Sequence, residues 1–464
     1  MYKIELIQNF ELFDVDVQEI EHSQKEITSI KPRLKLIAKQ SCEFSCNQFY
    51  DFPVLVDEDG SLWVDAALFL LEYLKGISPP PSGTLLSVAY DLLAFGNWLS
   101  EEEVDYLDIN SEHQRALPTY RFTFFLQNNL RLGKLAVSTS RRRINTVCRF
   151  YTWLQKTNKI PNRQLWVSEK RLISYSHDRG HFQKHYESNN LSQSLKLSKA
   201  TETSKREVLD GGRLRPLRTN EIIALRSCLN EIENVEMSLA IDIALCTGAR
   251  LETVFTLREG NFILSETDTL QPTRILIGGN SLVANKNDKQ MVLHIPSNIN
   301  KRMMIYLKSA QRKKRLSYSN HNFPTPENEY AFLTKSGFAY YISKTCPNRK
   351  NYKFRPTGNS ITQFFHGTLR RKLVKEGFHF PLKFHDLRAT FGTRLIAWEQ
   401  LNRENSKLEP FAPSEQLYLL NYVKERLGHS SVETTLRYIS FVMEDVELKP
   451  IQDDYEEFLL GEEL

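Results

Sequence analysis

The chain has 464 residues, too many for one ordinary domain, and at about 150 residues per domain it should hold roughly three. With 41% hydrophobic and 25% charged residues it can bury real cores, and no run of about 18 uncharged apolar residues offers a membrane span. The formal net charge of +5 is divided unevenly: residues 439–464 carry nine acids against Lys449, a net of −8, which leaves +13 on residues 1–438 and fits a polyanionic partner.

The N-terminus, MYKIELIQNFELFDVDVQEIE, is acidic and lacks a basic and then apolar leader, so no cleaved secretory signal is expected. Six scattered cysteines, among them Cys42 and Cys46 without a second Cys/His pair, suggest a reducing, cytoplasmic compartment rather than a disulfide framework or a zinc site. Residues 1–78 read as an N-terminal module. Within it PVLVDEDGSLWVD predicts a hairpin turning at Asp59-Gly60, and DAALFLLEYLKG predicts a helix that stops at Gly76. The Pro79-Pro80-Pro81-Ser82-Gly83 stretch marks a boundary.

Residues 79–187 are helical in pattern. LLSVAYDLLAFGNWLSEEE, TYRFTFFLQNNL and STSRRRINTVCRFYTWLQK each carry apolar residues at three- and four-residue spacing. In the last, Ser138 or Thr139 is the expected cap, and Arg141, Arg142 and Arg143 fall in the first turns. Cations there oppose the helix dipole and call for an anion opposite, for which a phosphate backbone is one candidate, so these three arginines are candidate DNA contacts. Residues 188–215, polar and basic, read as an interdomain linker. From Pro216 to about 443 a larger domain is expected, starting with a helix capped by Thr219 or Asn220. It includes one small sheet from RILIGG and QMVLHI, with Asn285-Lys286-Asn287-Asp288 turning between the strands.

Four separated features in this last domain combine. Arg250 follows Thr247-Gly248-Ala249 at a helix start, and Lys286 lies in the turn of the strand pair. His385-Asp386-Leu387-Arg388 places a histidine and an arginine on one helix face. Leu427-Gly428-His429 is followed, nine positions on, by Tyr438. This order and spacing resembles the tyrosine recombinase (phage integrase) family, over residues 84–443.

The resemblance implies a mainly α fold with a small antiparallel β-sheet, in which 79–187 is a helical core-binding domain that clamps DNA and 216–443 is a tyrosine-recombinase catalytic domain. It implies a site-specific recombinase acting on double-stranded DNA through a covalent 3′-phosphotyrosine. It also implies a tetramer on paired sites, possible accessory DNA-bending or directionality factors, and an integrating, excising or transposing role for a mobile element in the bacterial nucleoid. Tyr438 is then the nucleophile, Arg250, Arg388 and His429 the phosphate clamp, His385 the base and Lys286 the acid, with no metal and no cofactor. Type IB topoisomerase-like relaxation and a catalytically silent DNA binder are the alternatives.

The residue chemistry fits independently. Two guanidiniums can clamp the nonbridging oxygens of a phosphodiester bidentately, and a tyrosine with a reference pKa near 10 needs a base on attack. Lys289 stands as a rival to Lys286, and Tyr418 and Tyr422 as rivals to Tyr438. Where the family usually has an acid, three positions after the first arginine, this chain has Thr253, with Glu252 one earlier. Two stretches are longer than compact relatives need: 308–355, whose basic runs (Gln311-Arg312-Lys313-Lys314-Arg315, Asn348-Arg349-Lys350-Asn351-Tyr352-Lys353) would add phosphate contacts, and 398–416, which separates the His385–Arg388 helix from Leu427-Gly428-His429. The tail 444–464 has Ile451, Tyr455, Phe458 and Leu459 at helical spacing and is expected to dock on a neighbouring protomer.

Overall fold

The computed structural model describes residues 1–11, 15–20, 33–38, 48–75, 80, 82–177, 180–195, 207–262, 272–319, 321, 323–343, 346, 348–349, 352, 355–405 and 413–442. Cys42, Cys46, the stretch 76–79, positions 196–206 of the expected linker, Lys350, Asn351, Lys353, positions 406–412 and the acidic tail lie outside the described residues. The chain divides into two compact units, Met1–Glu202 and Thr203–Leu464. Both are helical with small antiparallel sheets, and among the described residues no helix is long and apolar enough to cross a membrane.

In the first unit, β1 (Lys3–Glu11), β2 (Val15–Ile20), β3 (Arg33–Ala38) and β4 (Gln48–Val56) form two antiparallel pairs, β1 with β4 and β2 with β3. The chain then turns at Gly60, whose φ of 82° suits only glycine at low cost. The expected hairpin is cut to a single bridge, Val56 to Leu62, because Trp63 is drawn into the core and the next residues enter α1 (Val64–Glu72). The helices α2 (Ser82–Glu101), α3 (Pro118–Arg131) and α4 (Val137–Lys156) follow the apolar spacing. A hairpin of β5 (Ser168–His177) and β6 (Gly180–Asn189) leads into α5 (Asn190–Ser194).

Two sequence expectations change here. The N-terminal module and the helical segment do not have separate cores: Phe52, Leu55, Trp63 and Phe69 pack in one cluster with Phe95, Phe122, Ile144 and Phe150. The Trp63 ring meets Phe150 edge to face at 5.7 Å and stacks on Tyr2 at 5.0 Å. The expected linker likewise begins inside this unit, since Leu191 and Leu195 are buried in the same cluster. At α4, position 136 rather than Ser138 or Thr139 precedes the first turn, and no side chain caps it. Arg142 pairs at 2.9 Å with the buried Asp91, so one anion opposite that helix start is internal. Burial raises the Asp91 carboxyl, and the Arg142 charge opposes that rise. Arg141 is exposed and Arg143 half-buried.

In the second unit, β7 (Val208–Leu209) and β8 (Arg213–Leu214) make a short hairpin from the end of the expected linker. Next comes α6 (Thr219–Ile232), entered not through a Thr219 or Asn220 cap but with the Arg218 N–H donating to Glu221 at 2.9 Å. Then follow α7 (Val235–Thr247), α8 (Leu251–Phe255) and the antiparallel pair β9 (Thr273–Ile277) and β10 (Met291–Ile295). The remaining helices are α9 (Ser297–Lys308), α10 (Ala310–Leu316), α11 (Asn359–Gln363), α12 (Arg370–Lys375), α13 (Asp386–Asn405), α14 (Pro413–Leu427) and α15 (432–442). The main core gathers Leu225, Ile241, Phe255, Ile295, Phe332 and Leu387. A second, smaller core joins Val208 and Leu214 to Ala389, Phe391, Val423, Leu427, Tyr438 and Val442.

The basic run on α10 is only partly a surface. Arg312 and Arg315 turn inward, donating to the carbonyls of Ala331, Tyr330 and Leu333, and Arg315 pairs with the buried Glu236 at 3.0 Å. Lys313 and Lys314 stay exposed. The expected phosphate contacts of this run therefore reduce to the two lysines.

The shared core of the first unit predicts that fragment 1–202 unfolds cooperatively while fragment 79–202 does not, as read by urea denaturation followed by tryptophan fluorescence. Gly96→Ala would set a Cβ 2.7 Å from the Trp63 ring and 2.9 Å from Tyr2, and is expected to cost about 1–3 kcal/mol in the same assay.

Candidate active site

Arg250 sits where two helices meet. Thr247 ends α7, and Gly248, at φ 66°, takes the left-handed cap that lets the chain turn; Arg250 then caps α8 from extended backbone. Gly248 is also needed for space, because a Cβ there would lie 2.6 Å from Phe391 and 2.7 Å from Leu427. His385 immediately precedes α13, and Arg388 falls in its first turn. Asp386 holds that entry by accepting from the Lys383 N–H at 2.8 Å and the Arg215 N–H at 3.0 Å.

Arg388 is almost fully enclosed and ties three elements together. Its Nη1 donates to the Gly248 carbonyl at 2.9 Å and its Nη2 to the Leu427 carbonyl at 2.7 Å, the ends of α7 and α14. A cation at two helix C-termini is electrostatically favoured, and both bonds fix the plane of the guanidinium. Its Nε donates at 2.7 Å to Asp210 Oδ2, on the tip of the β7–β8 hairpin.

The same carboxylate is the focus of the site. His429 Nε2 lies 3.2 Å from Asp210 Oδ2, and the Tyr438 hydroxyl donates to that oxygen at 3.0 Å. Arg250 Nη2 lies 3.9 Å from the other oxygen. His429 is oriented through its second nitrogen, Nδ1, which is 2.9 Å from Thr435 Oγ1. The structure thus brings Arg250, Arg388, His429 and Tyr438 around one anionic group contributed by Asp210.

Tyr438 is fully buried on α15, its ring centroid 5.4 Å from that of His429. Gly392 on α13 makes room for it, since a Cβ there would come within 2.6 Å of the tyrosine ring. Tyr418 and Tyr422 are side by side on α14, both exposed and stacked at 6.4 Å on each other, outside this cluster. Lys286 lies in the helical turn between β9 and β10, and its Nζ is 3.2 Å from where a Cβ on Gly211 would stand, beside Asp210. Lys289 is committed elsewhere: its Nζ donates to the Gly428 and His429 carbonyls, each at 3.1 Å. Glu252 receives the Tyr341 hydroxyl at 3.5 Å, and Thr253 is buried.

The titration states follow from burial and charge. Burial pushes the Asp210 carboxyl up, but the hydrogen bond from His429 and the charge of Arg388 outweigh it and hold Asp210 ionised well below the usual carboxylate range. Burial, then the Asp210 charge, raises the Tyr438 phenol well above its ordinary value. Burial, then Arg388, lowers His385 to about 4, so that this imidazole is neutral at pH 7. Burial is also the main reason His429 is lowered and Arg250 is lowered.

Asp210 was not among the residues singled out in the sequence. The Asp-Gly-Gly turn flanked by Val208-Leu209 and Arg213-Leu214 was the available signal, a hairpin pattern inside a stretch whose composition reads as linker. Arg141, Arg142 and Arg143 lie in the first unit, and the residues of this site all belong to the second.

No family model matches the chain, and no curated protein matches it by sequence. Among solved structures it is similar to the XerH site-specific recombinase bound to its palindromic difH substrate, at 16% identity over 86% of this chain and 90% of that one, with a TM-score of 0.47. It is also similar to the Tn1549 transposon integrase in complex with circular intermediate DNA, at 14% identity over 80% and 94% with a TM-score of 0.43. A lambda integrase dimer bound to a core site matches at 12% identity over 77% and 89% with a TM-score of 0.41.

Two outcomes test this geometry. Gly392→Ala is expected to displace the Tyr438 ring and cost about 1–3 kcal/mol by thermal unfolding. His385 has a folded pKa below its unfolded value near 6.5, so the unfolded chain binds the extra proton between about pH 6.5 and 4. Stability should therefore fall as pH drops through that window, by up to about 1.4 kcal/mol per pH unit, and His385→Gln should flatten the slope in urea melts at pH 7, 6 and 5.

Proposed function

We propose that this chain is a site-specific DNA recombinase that cleaves and rejoins strands through Tyr438. The observation that carries this reading is the convergence of Arg250, Arg388, His429 and the Tyr438 hydroxyl on the two oxygens of one carboxylate. A phosphodiester presents a comparable pair of nonbridging oxygens, and planar guanidiniums suit it better than lysines do. Donors already fixed at helix ends would stabilise the charge that builds on those oxygens during attack without reorganising.

In the step we assign, the Tyr438 oxygen forms a bond to phosphorus while the bond from phosphorus to the 5′-oxygen breaks. The phenolic proton passes to neutral His385, and Lys286 donates a proton to the leaving 5′-oxygen. The product is a 3′-phosphotyrosine, which keeps the strand end activated so that a second 5′-hydroxyl can attack it and release Tyr438. Lys286 is favoured over Lys289 because Lys289 is spent on two backbone carbonyls. The first unit would hold the duplex, with Arg141 and Arg142 the exposed members of its three arginines, Arg142 already paired with Asp91. A tetramer on paired sites and a role in moving a mobile element complete the reading.

A nicked suicide duplex with a randomised recognition region, run on a denaturing gel, tests it. Wild type is expected to give a protein–DNA adduct, Tyr438→Phe none, and Tyr418→Phe and Tyr422→Phe adduct at the wild-type level. Arg250→Ala should slow adduct formation by about 10²–10³. An adduct that survives Tyr438→Phe would overturn the assignment of the nucleophile.

A further inference from the structure

We infer that Asp210 occupies the place of the scissile phosphate, so that the β7–β8 hairpin is a built-in pseudosubstrate which DNA must displace. The inference deepens the reading of this site as a phosphodiester-cleaving centre and rests on it. Three donors meet on Asp210 Oδ2: Arg388 Nε at 2.7 Å, the Tyr438 hydroxyl at 3.0 Å and His429 Nε2 at 3.2 Å. Arg250 faces the second oxygen at 3.9 Å, and Lys286 Nζ stands against Gly211 on the same tip. No described group other than Asp210 makes all of these contacts, and a phosphate could not share the space with it.

The hairpin has the features of a segment that can be exchanged. Its two strands are only two residues each, Val208–Leu209 and Arg213–Leu214, and its tip closes through Asp210 N–H to the Gly212 carbonyl at 3.0 Å with Gly211 at φ 68°. Its exit, by contrast, is fastened to α13, where the Arg215 N–H bonds Asp386 and the Leu217 N–H bonds Thr390 Oγ1 at 2.9 Å. The tip can therefore swing out about an anchored base. What it leaves behind is a buried pocket in which Arg388 and Arg250 repel each other, and such a pocket demands an anion. A tethered carboxylate meets that demand when no DNA is bound and competes with phosphate when it is.

Competition of this kind reduces the apparent affinity for phosphate by the fraction of molecules in which the site is open. Removing the carboxylate should therefore raise affinity for the simplest probe, inorganic phosphate. Titrating phosphate against the full chain by calorimetry, Asp210→Asn and Asp210→Ala are each expected to bind at least about tenfold more tightly than wild type. Adding Arg250→Ala to Asp210→Asn should abolish the gain. Arg213→Ala, on the same hairpin but outside the pocket, should leave phosphate affinity unchanged. Equal affinity in wild type and both Asp210 variants, or a gain that survives Arg250→Ala, overturns the inference.

Hydrogen exchange on unmutated protein gives a reading that does not depend on how the variants fold. The tip amide of Asp210, bonded to the Gly212 carbonyl, should lose protection when a short duplex is bound while the strand amides of Val208 and Leu214 keep theirs, and a tip whose protection stays the same or rises overturns the inference. The outcome also separates this proposal from the one it rests on. Hairpin release without any adduct from wild type leaves the pseudosubstrate standing and removes the phosphotyrosine chemistry. An adduct formed while the hairpin stays protected, and no faster in Asp210→Asn, does the reverse.

Discussion

The second unit is organised around a cluster of positive charge that cannot stand alone. Arg388 is enclosed by protein and reaches the ends of two helices and one hairpin, while Arg250 and His429 lie within a few ångströms of the same carboxylate. Desolvating such groups without an anion is costly, and Asp210 supplies the anion. The consequences run outward through the fold. The β7–β8 hairpin packs Val208 and Leu214 into the core that also buries Tyr438, so the chain segment that neutralises the site helps to build the wall that holds this tyrosine.

Glycine sets the tolerances of this arrangement. Gly248 lets α7 end close enough to α13 and α14 for its carbonyl to receive Arg388, and Gly392 lets α13 lie flat against the Tyr438 ring. Neither position has room for a methyl group without a neighbour moving. The functional side chains are therefore placed by close backbone approach as much as by their own bonds.

The sequence made the ladder of helices legible because three- and four-residue apolar spacing is a local signal, and α2, α3, α4 and α6 follow it closely. Thr247 to Arg250, His385 to Arg388 and Leu427 to Tyr438 were legible because each is a short motif whose turn chemistry is carried by its own residues. What the sequence concealed was long-range. Trp63 joins the N-terminal strands to α4 through a contact nearly ninety positions away, which no composition shift announces. Arg312 and Arg315 read as surface charge until the carbonyls of Tyr330, Ala331 and Leu333 are seen to receive them. Asp210 was hidden for the same reason: its polar, basic surroundings look like linker, and its hydrogen-bond partners Arg388, His429 and Tyr438 lie 178 and more positions downstream.

The bond from Lys289 to the carbonyls of Gly428 and His429 has a mechanical corollary. It rivets the β9–β10 hairpin to the end of α14, three positions from Lys286 on one side and at the Asp210-facing imidazole of His429 on the other. The two pieces can then pivot only as a linked pair, like two blades on one pin. A movement that advances Lys286 is thereby coupled to His429, so in the reaction proposed above the acid and the clamp would be geared to arrive together.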